Sequence, residues 1–395
     1  MHEKTYTYGR QVLGEDDIQA VVDVLRSDRI TQGPRIMEFE QRLCERLGAP
    51  HCTVTSSGTA SLHLTALGLG WKSGDIVITS PITFVASANC ILYTGATPDF
   101  ADIDPLHYTL DPARLEERIR YHESAGRKVR GIVAVDYAGH PCDWEALAAL
   151  AKTHQCDLVN DHCHAFGASY KNDAHFAARY ADAVILSFHP VKHITTGEGG
   201  AVVTRHERLD RRIKLLRTHG IMKAPRQLAL TEGPWSYEMI DLGFNYRITD
   251  IQCALGISQL GKLDRFLLER RAVAAFYDEA FAGDDRFVVP AVSGNSRHAY
   301  HLYPLQIDFG GLRISKAELF GRLREERIEC QVHYKPVHLQ PYYMKLLGTK
   351  AGDYPVAEEF YRRTLSIPIH PGLTRDDTSY VSHAIKHVVE KMTKR

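Results

Sequence analysis

Short apolar runs and helix-like segments alternate along the first two thirds of the chain. The runs are five or six residues long and rich in Val, Ile and Ala, as is typical of buried strands. They predict seven strands, at 51–55, 75–79, 98–103, 131–136, 156–161, 183–187 and 200–204. Helical patterns fill most of the gaps, for example at 144–154. This alternation predicts an α/β domain with a mainly parallel sheet that helices cover on both faces.

Two helical patterns precede the first strand. The first begins near Gly14, carries acidic residues in its first turn, and continues as an apolar stripe to Leu25. The second runs over about 35–47. Both patterns predict helices.

The pattern changes after Gly243. Leucines and phenylalanines at helical spacing predict one long connecting helix that reaches residue 281. Beyond it we expect two strands and two helices, at 298–309, 328–337, 315–326 and 376–393. A length of 395 residues suits one large domain and a smaller one. We therefore predict a large domain over 1–255, which includes the N-terminal segment, and a small α+β domain over 256–395.

The charge balance argues against nucleic acid and membranes as partners. The chain has 48 basic and 48 acidic residues, so it carries no broad positive field. No stretch approaches the ~20 apolar residues of a spanning helix, and residues 1–5 lack an apolar leader pattern. We expect a cytoplasmic protein that acts on small molecules.

The cysteines and histidines indicate neither disulfides nor a metal centre. Eight cysteines are scattered without a C-x-x-C pair, as expected of reduced thiols. The run Asp161-His162-Cys163-His164 resembles a zinc cluster superficially. Neighbouring strand residues point to opposite faces, however, and no second ligand group has zinc-like spacing. We expect no bound metal.

Polar residues follow three predicted strands, at the sheet edge where ligands bind in open α/β folds. After the first strand, the run SSGT at 56–59 offers either a phosphate cradle at a helix start or an ordinary capping turn. A second strand ends in Asp161, a carboxylate that is either a ligand group or a helix cap. Ser187 ends a third strand, and Lys192 follows it.

Lys192 stands in the glycine-rich turn SFHPVKHITTGEGG, between two buried strands. Pyridoxal phosphate (PLP) accounts for a lysine there, because a lysine amine forms a Schiff base with the aldehyde of this cofactor. PLP also needs a phosphate cradle and an acidic partner for its pyridine nitrogen. A lysine whose ammonium merely reaches solvent explains neither of those features. The three strand ends together therefore predict PLP.

Five segments carry a family resemblance that covers nearly the whole chain. They are SFHPVKHITTGEGGAVVT, DHCHAFGA, ITFVASAN, RTHGI and LGFNYRITDIQCALGISQL. The chain resembles the DegT/DnrJ/StrS sugar-nucleotide aminotransferases, which are PLP enzymes of fold type I. The resemblance implies a seven-stranded large domain, a small C-terminal domain, and a homodimer with shared active sites.

The resemblance also implies roles for matching residues around the cofactor ring. Lys192 would be the Schiff-base lysine and proton shuttle, and Asp161 would pair with the pyridine nitrogen. His164 would approach the phenolic oxygen or the ring face. Phe84 would stack on the ring.

Further matching residues would bind the phosphate and the substrate. Those that would hold the phosphate are Gly58, Thr59 and Ser187. Asn245 would reach the phosphate in the neighbouring subunit. Candidates for binding the pyrophosphate of a sugar nucleotide are Tyr8, Arg29, Thr31, Ser57, His333, Tyr334 and Lys335.

Within the family, three more segments resemble the members that serve pseudaminic acid biosynthesis. They are RITQGPRIMEFEQRLCERLG, VAVDYAGHP and QVHYKPVHLQPYY. This likeness implies transfer of an amino group from glutamate to C4 of a UDP-4-keto-6-deoxy-hexose. The product would be UDP-4-amino-4,6-dideoxy-N-acetyl-β-L-altrosamine.

The sequence leaves alternative functions open. Many relatives have Glu-Asp where this chain has Asn160-Asp161, and Asn where it has His193. A keto-sugar aminotransferase of the 3-amino or perosamine type would share the cofactor residues. A dehydratase of the same family would carry histidine in place of the lysine. A non-catalytic regulatory protein on this fold would need none of these groups, so their joint presence favours an enzyme.

Overall fold

The computed structural model describes residues 4–223, 233–312 and 315–392. The first three residues of the predicted large domain, and residue 393 of the predicted last helix, lie outside the described residues. No helix in these described ranges is long and apolar enough to cross a membrane.

The elements follow one another in the alternating order that the sequence predicts. The strands are β1 (Tyr6–Thr7), β2 (His51–Thr55), β3 (Ile76–Thr79), β4 (Thr97–Phe100), β5 (Val129–Val135), β6 (Asp157–Asp161), β7 (Ser169–Tyr170), β8 (Ala183–Ser187), β9 (Gly200–Thr204), β10 (Ile221–Met222), β11 (Glu238–Met239), β12 (Phe287–Val288), β13 (Ser296–Arg297), β14 (Tyr303–Ile307), β15 (Ile328–Glu329) and β16 (Thr364–Ile367). The helices are α1 (Glu15–Leu25), α2 (Pro34–Leu47), α3 (Gly58–Gly68), α4 (Ala86–Leu92), α5 (Pro112–Ser124), α6 (Trp144–His154), α7 (Phe176–Tyr180), α8 (Glu207–Arg217), α9 (Asp250–Leu260), α10 (Leu263–Phe281), α11 (Lys316–Glu325), α12 (Pro341–Leu347), α13 (Pro355–Arg363) and α14 (Arg375–Met392).

Seven strands form the main sheet, in the order β2-β9-β8-β6-β5-β3-β4. Strands β4, β3, β5, β6 and β8 run parallel to one another, and β9 runs antiparallel to both of its neighbours, β8 and β2. The prediction of a mainly parallel seven-stranded α/β sheet is confirmed. Because β2 and β8 both run opposite to β9, the carboxyl ends of β2, β6 and β8 lie at one edge.

Alternate residues of the central strands bury opposite faces of this sheet, as the period of two requires. One face packs under α3 and α8 with the fully buried residues Val77, Val133, Val159, Ile185 and Val202. The other packs under α2, α5 and α6 with Ile78, Ile132, Leu158, Val184 and Val203. Both faces are apolar, so polar groups are left for the ends of the strands.

A second core lies in the C-terminal part of the chain. The antiparallel strands β12, β14 and β16 form its sheet, and α10, α11 and α14 supply most of its other buried side chains. The N-terminal strand β1 pairs with β15, with Tyr6 opposite Ile328. The N-terminal segment therefore contacts this second core, and the division of the chain at residue 255 stays a prediction.

The prediction of one long connecting helix is wrong. The segment forms α9 and α10, which are separated by Gly261 and Lys262. Lys262 Nζ bonds the carboxylates of Asp16 and Asp17 at 2.6 Å each, in the first turn of α1. This anchor fixes the bend between the two helices.

The two C-terminal strands are shorter than predicted. Only Tyr303–Ile307 of 298–309 is a strand, because Tyr300 has a φ of 50° that interrupts extended backbone. The N–H groups of Ala299 and Leu302 bond carbonyls of the loop at 138–139 instead. Only Ile328–Glu329 of 328–337 is a strand. The chain then leaves β15, and the Val337 N–H bonds Pro81 O, just after β3 of the main sheet.

Candidate active site

A cavity of about 400 Å³ opens where β2, β6 and β8 end. Eleven of the predicted site residues line it: Tyr8, Ser57, Gly58, Thr59, Phe84, Asp161, His164, Ser187, Lys192, His333 and Tyr334. They come from the N-terminal segment, the segments after four strands (β2, β3, β6 and β8, with Phe84 following β3) and the loop after β15. The structure thus brings together side chains that are spread over more than 300 positions of the sequence.

Lys192 projects into this cavity from the turn between β8 and β9. Its backbone N–H donates to His189 O at 2.9 Å, and its Nζ lies 3.3 Å from His301 Nε2. Burial lowers the pKa of the Lys192 amine, while Cys163 and Asp161 act to raise it. A lowered pKa increases the share of neutral amine, which is the form that attacks carbonyl carbon.

Asp161 is the last residue of β6 and is 6% exposed. Its Oδ2 accepts a hydrogen bond from Ser87 Oγ at 2.7 Å, and its Oδ1 accepts from the Cys163 N–H at 3.3 Å. The chain then turns, and the next helix is α7, which begins at Phe176. The alternative in which Asp161 caps a helix is therefore wrong, and its carboxylate faces the cavity.

The run after β2 forms a tight helix start. Ser57 is the N-cap of α3, and its Oγ accepts from the Ala60 N–H at 3.0 Å. A Cβ at Gly200 would lie 2.6 Å from the Gly58 nitrogen, so only glycine lets β9 approach this turn. The N–H groups of Gly58 and Thr59 have no partner within the helix, since they belong to its first turn. They suit an anion.

Aromatic rings and imidazoles form the wall opposite this turn. His164 Nε2 lies 3.2 Å from the Tyr334 hydroxyl, and its Nδ1 is buried without a partner. Burial, and then Lys192, lower the pKa of His164 well below its ordinary value. Phe84 is 55% exposed, and its ring centroid is 6.0 Å from that of Tyr334. An exposed aromatic ring at a cavity is suited to stacking on a planar ligand.

His333 and Tyr8 extend the wall towards the N-terminal segment. His333 Nδ1 lies 2.9 Å from Ser366 Oγ, and its ring centroid is 4.9 Å from that of Tyr8. Burial and then Lys192 lower the pKa of His333 to about 3, so it is neutral at physiological pH.

Four predicted site residues lie outside this cavity. Arg29 lines a separate cavity of about 700 Å³ with Arg217, Thr218 and Arg247. Thr31 is close by in the chain and pairs with Thr249. Asn245 is exposed and pairs with Thr218. Lys335 is exposed beside Tyr334 but does not line either cavity.

Sequence reasoning missed two residues that contact the central groups. His301 touches Lys192 across 109 positions of sequence, and Ser87 touches Asp161 across 74. The segment HAYHLYP contains the only available signal for His301, a histidine beside a predicted buried strand. Ser87 lies in a quoted motif, ITFVASAN, but nothing in that motif marks it as a partner for a carboxylate.

The neighbouring histidines point away from a shared metal or catalytic position. His162 Nδ1 bonds Asp136 Oδ2 at 2.7 Å on the other side of β6. His193 Nε2 donates to Ala299 O at 3.1 Å and does not line the cavity. In the part of the chain that the structure describes, no group of three or more His, Cys, Asp or Glu residues is placed to hold a metal ion.

Comparisons with known proteins agree on one enzyme family. Residues 11–386 match the DegT/DnrJ/EryC1/StrS aminotransferase family. The UDP-4-amino-4,6-dideoxy-N-acetyl-beta-L-altrosamine transaminase of Campylobacter jejuni is 39% identical over 390 residues, which covers 98% of each chain. The solved structure of Helicobacter pylori PseC, described as an aminotransferase involved in the biosynthesis of pseudoaminic acid, has a TM-score of 0.90. It is 34% identical and covers 98% of this chain and 100% of its own.

A second solved structure is described as the PLP-form of its protein. The putative sugar aminotransferase Spr1654 from Streptococcus pneumoniae, in its PLP-form, has a TM-score of 0.89 at 29% identity. The match covers 99% of this chain and 100% of that one.

Proposed function

This chain belongs to the DegT/DnrJ/EryC1/StrS aminotransferase family and is a transaminase, and we propose that it aminates C4 of a UDP-4-keto-6-deoxy-hexose with glutamate as donor. The product is UDP-4-amino-4,6-dideoxy-N-acetyl-β-L-altrosamine, which places the enzyme in pseudaminic acid biosynthesis. One observation carries the chemistry: the Lys192 amine, the Asp161 carboxylate and the anion-binding start of α3 line one cavity. The choice of sugar is supported by the likeness to the Campylobacter and Helicobacter transaminases.

Aminotransferases of this family are PLP enzymes, and the residues of this cavity fit PLP. The free N–H groups at the start of α3 suit its phosphate, and Ser187 lies against Gly58, where an added Cβ would be 3.0 Å from the Ser187 Cβ. Asp161 offers a buried carboxylate for the pyridine nitrogen. When bound, PLP supplies an aldehyde that carries the amino group and a ring that takes up electrons.

The residues of the chain have separate tasks in this proposal. The Lys192 amine holds the cofactor and, when free, accepts and returns a proton at its Nζ. Asp161 holds a proton at the pyridine nitrogen through a charge-assisted bond. Phe84 covers one face of the ring, and His164 lies towards the phenolic side.

The sugar nucleotide is assigned to donors at the mouth of the cavity. Tyr8, Ser57, His333 and Tyr334 line it already. Lys335 follows Tyr334 and offers an exposed ammonium for the pyrophosphate. Arg29 and Thr31 do not line the cavity of their own chain, and Arg29 lines a separate one, so we assign both to the cavity of a partner subunit.

The substrate assignment predicts a clear preference among keto sugars. With glutamate and PLP, the protein should turn a UDP-linked 4-keto-6-deoxy sugar into an amino product, with at least about tenfold higher kcat/KM than for dTDP-linked or 3-keto sugars. Mass spectrometry of the nucleotide sugar and enzymatic assay of 2-oxoglutarate measure both products. A protein without Lys192 is the control for uncatalysed amination. Faster turnover of a 3-keto sugar would move the enzyme to the 3-amino type, and faster turnover of a dTDP-linked sugar would contradict the UDP assignment.

The geometry supports the dehydratase and regulatory-protein alternatives less well. A dehydratase of this family would need a histidine where Lys192 stands, and the adjacent His193 bonds a backbone carbonyl outside the cavity. A regulatory protein would have no use for a cavity amine beside a buried carboxylate.

We propose further that the enzyme is a homodimer in which each active site takes Asn245 from the partner. Asn245 is exposed and lies beside the cavity that contains Arg29, rather than beside Lys192. A shared site accounts for polar groups that the cavity of one chain leaves unused.

Complementation between two inactive variants tests the shared site. In a mixture of Lys192→Ala and Asn245→Ala chains, each heterodimer has one intact site and one site that lacks both residues. After mixing under conditions that exchange subunits, we expect recovery of about a quarter of the parent activity, because half of the dimers are mixed. Each variant alone, treated in the same way, is the control. Activity no higher than the sum of the separate variants, or a fully active monomer on a sizing column, would contradict the shared site.

A further inference from the structure

Arg270 is a charged residue on the buried face of α10. It is fully buried, and its neighbours at helical spacing, Phe266, Leu267, Val273 and Ala274, are apolar and buried as well. A charge in such a place costs free energy unless polar groups surround it, so its presence calls for a reason.

Backbone carbonyls surround the guanidinium. Arg270 Nη1 donates to the carbonyls of Tyr300, His301 and Ile369 at 3.1, 3.3 and 3.0 Å. Its Nη2 lies 3.5 Å from Val191 O. Burial lowers the pKa of Arg270 to about 10, so the side chain remains positive at neutral pH. It has no ion-pair partner among the residues that the structure describes.

These carbonyls belong to the segments that place the catalytic lysine. Val191 directly precedes Lys192, and His301 contacts Lys192 Nζ through its own ring at 3.3 Å. Ile369 follows β16, in the second core. One side chain therefore joins the lysine turn, the segment before β14 and the small sheet.

We propose that Arg270 is the positioning residue of Lys192: its guanidinium fastens the backbone on both sides of the contact between Lys192 and His301, and its uncompensated charge faces the lysine from the protein interior. This inference rests on the proposed function only in naming Lys192 as the reactive amine. It concerns a residue that touches neither substrate nor cofactor, and it acts through Lys192.

The effect of the Arg270 charge on the Lys192 amine depends on the other groups around that amine. Those that act on Lys192 or are acted on by it are Asp161, Cys163, His164, His193, Arg270, His301 and His333, and Glu198, His189 and Tyr334 also line the cavity. The pKa values of the four deeply buried imidazoles are lowered, so at neutral pH they add no charge. The negative charge of Asp161 favours the protonated amine, whereas Arg270 favours the neutral one. Removal of Arg270 should therefore make Lys192 harder to deprotonate.

The reactivity of Lys192 in the full-length, cofactor-free protein tests this directly. Acetic anhydride labels neutral amines, and peptide mass spectrometry gives the labelling rate of Lys192 between about pH 6 and pH 10. In Arg270→Met, we expect the midpoint for Lys192 to rise and its labelling at neutral pH to slow severalfold, because a nearby positive charge that favours the neutral amine is lost. The exposed Lys152 in the same digest corrects for reagent and handling.

Arg271→Met is the matched control. Arg271 is the next residue of α10, and it also donates to backbone carbonyls, those of His298 and Gly167 at 2.9 and 3.3 Å. These carbonyls are not next to Lys192, so its labelling profile should match that of the parent. Both variants can lose stability, but only Arg270→Met should shift the Lys192 labelling midpoint. That result would separate positioning of Lys192 from general support of the fold.

Arg270→Lys keeps the charge but cannot reach four carbonyls at once. We expect its Lys192 labelling midpoint to stay near that of the parent, while kcat falls about 10- to 100-fold and KM changes little, because the amine is misplaced. An unchanged labelling profile together with parental kcat in Arg270→Met would overturn the proposal. If that variant does not fold, parental kcat in Arg270→Lys overturns it. Labelling requires no turnover, so a failure of the proposed amination would be seen separately.

Discussion

Replacing Lys192 by alanine is expected to leave a folded protein whose transaminase turnover is at least ~10⁴-fold lower than that of the parent. In the proposed function two tasks disappear together, because the same amine would hold the cofactor and carry the proton. Lys192 is the only lysine that lines the cavity among the residues that the structure describes. No other described amine stands where it could take over either function.

Reduction with borohydride measures the first of these functions without any turnover. After incubation with PLP and reduction, the parent should yield one pyridoxyl-bearing peptide, the one that contains Lys192. Lys192→Ala should yield none, while its far-UV circular dichroism stays parental. Lys152→Ala, which removes an exposed lysine of α6, is the matched control and should be labelled and active. A pyridoxyl group on another lysine of the parent would sink the assignment.

The main sheet was predictable because both of its faces are buried. Residues such as Val133 and Ile132 pack on opposite sides of one strand, so the strand reads as an uninterrupted apolar run rather than an alternation. Six of the seven predicted strands agree with the structure within two residues at either end, and the exception is the end predicted at 103 and found at Phe100. Direction is not encoded in such runs, so nothing in the pattern showed that β9 alone runs antiparallel.

The C-terminal part was harder to predict because local pattern and tertiary contact disagree there. The apolar spacing around residues 255–281 continues through Gly261, and only the contact of Lys262 with α1 explains the bend. Likewise, the positive φ of Tyr300 ends an otherwise strand-like run. Both features depend on residues far away in the sequence.

Some residues of the candidate site could likewise be predicted from local pattern, whereas others depend on contacts between distant segments. Asp161 and Ser187 follow from the rule that ligands meet the carboxyl ends of strands, and the structure places both at the cavity. His301 does not follow from any rule of spacing, since its contact with Lys192 joins distant segments. Arg270 carried a signal that sequence reasoning passed over, a charged residue on the apolar stripe of a helix. Interruptions of an apolar stripe are therefore worth testing as site residues.

Replacing Asp161 by asparagine is expected to keep the fold and cofactor binding but to slow transamination by about 10² to 10⁴, as loss of a preorganised charge in a buried site does. The change is nearly isosteric. The asparagine oxygen can accept one of the two present hydrogen bonds, and the Ser87 hydroxyl, which also contacts Thr83 Oγ1 at 2.8 Å, can turn to accept from the new amide. A neutral amide cannot keep a positive charge at the pyridine nitrogen, and this is the part of the proposed role that the variant removes.

Single-turnover kinetics with saturating PLP and glutamate separate this loss from weaker cofactor binding, and thermal unfolding reports the fold. Asp157→Asn is the matched control: it lies at the other end of β6, where its carboxylate accepts from Trp71 Nε1 at 2.8 Å, and an amide oxygen can do the same. That variant should transaminate at nearly the parent rate. Since the next described helix after Asp161 begins only at Phe176, a helix cap cannot explain a rate effect at this position. Parental single-turnover rates in Asp161→Asn would show that hydrogen bonding alone is enough at this position, and the acidic partner of the pyridine nitrogen would then have to be a different residue.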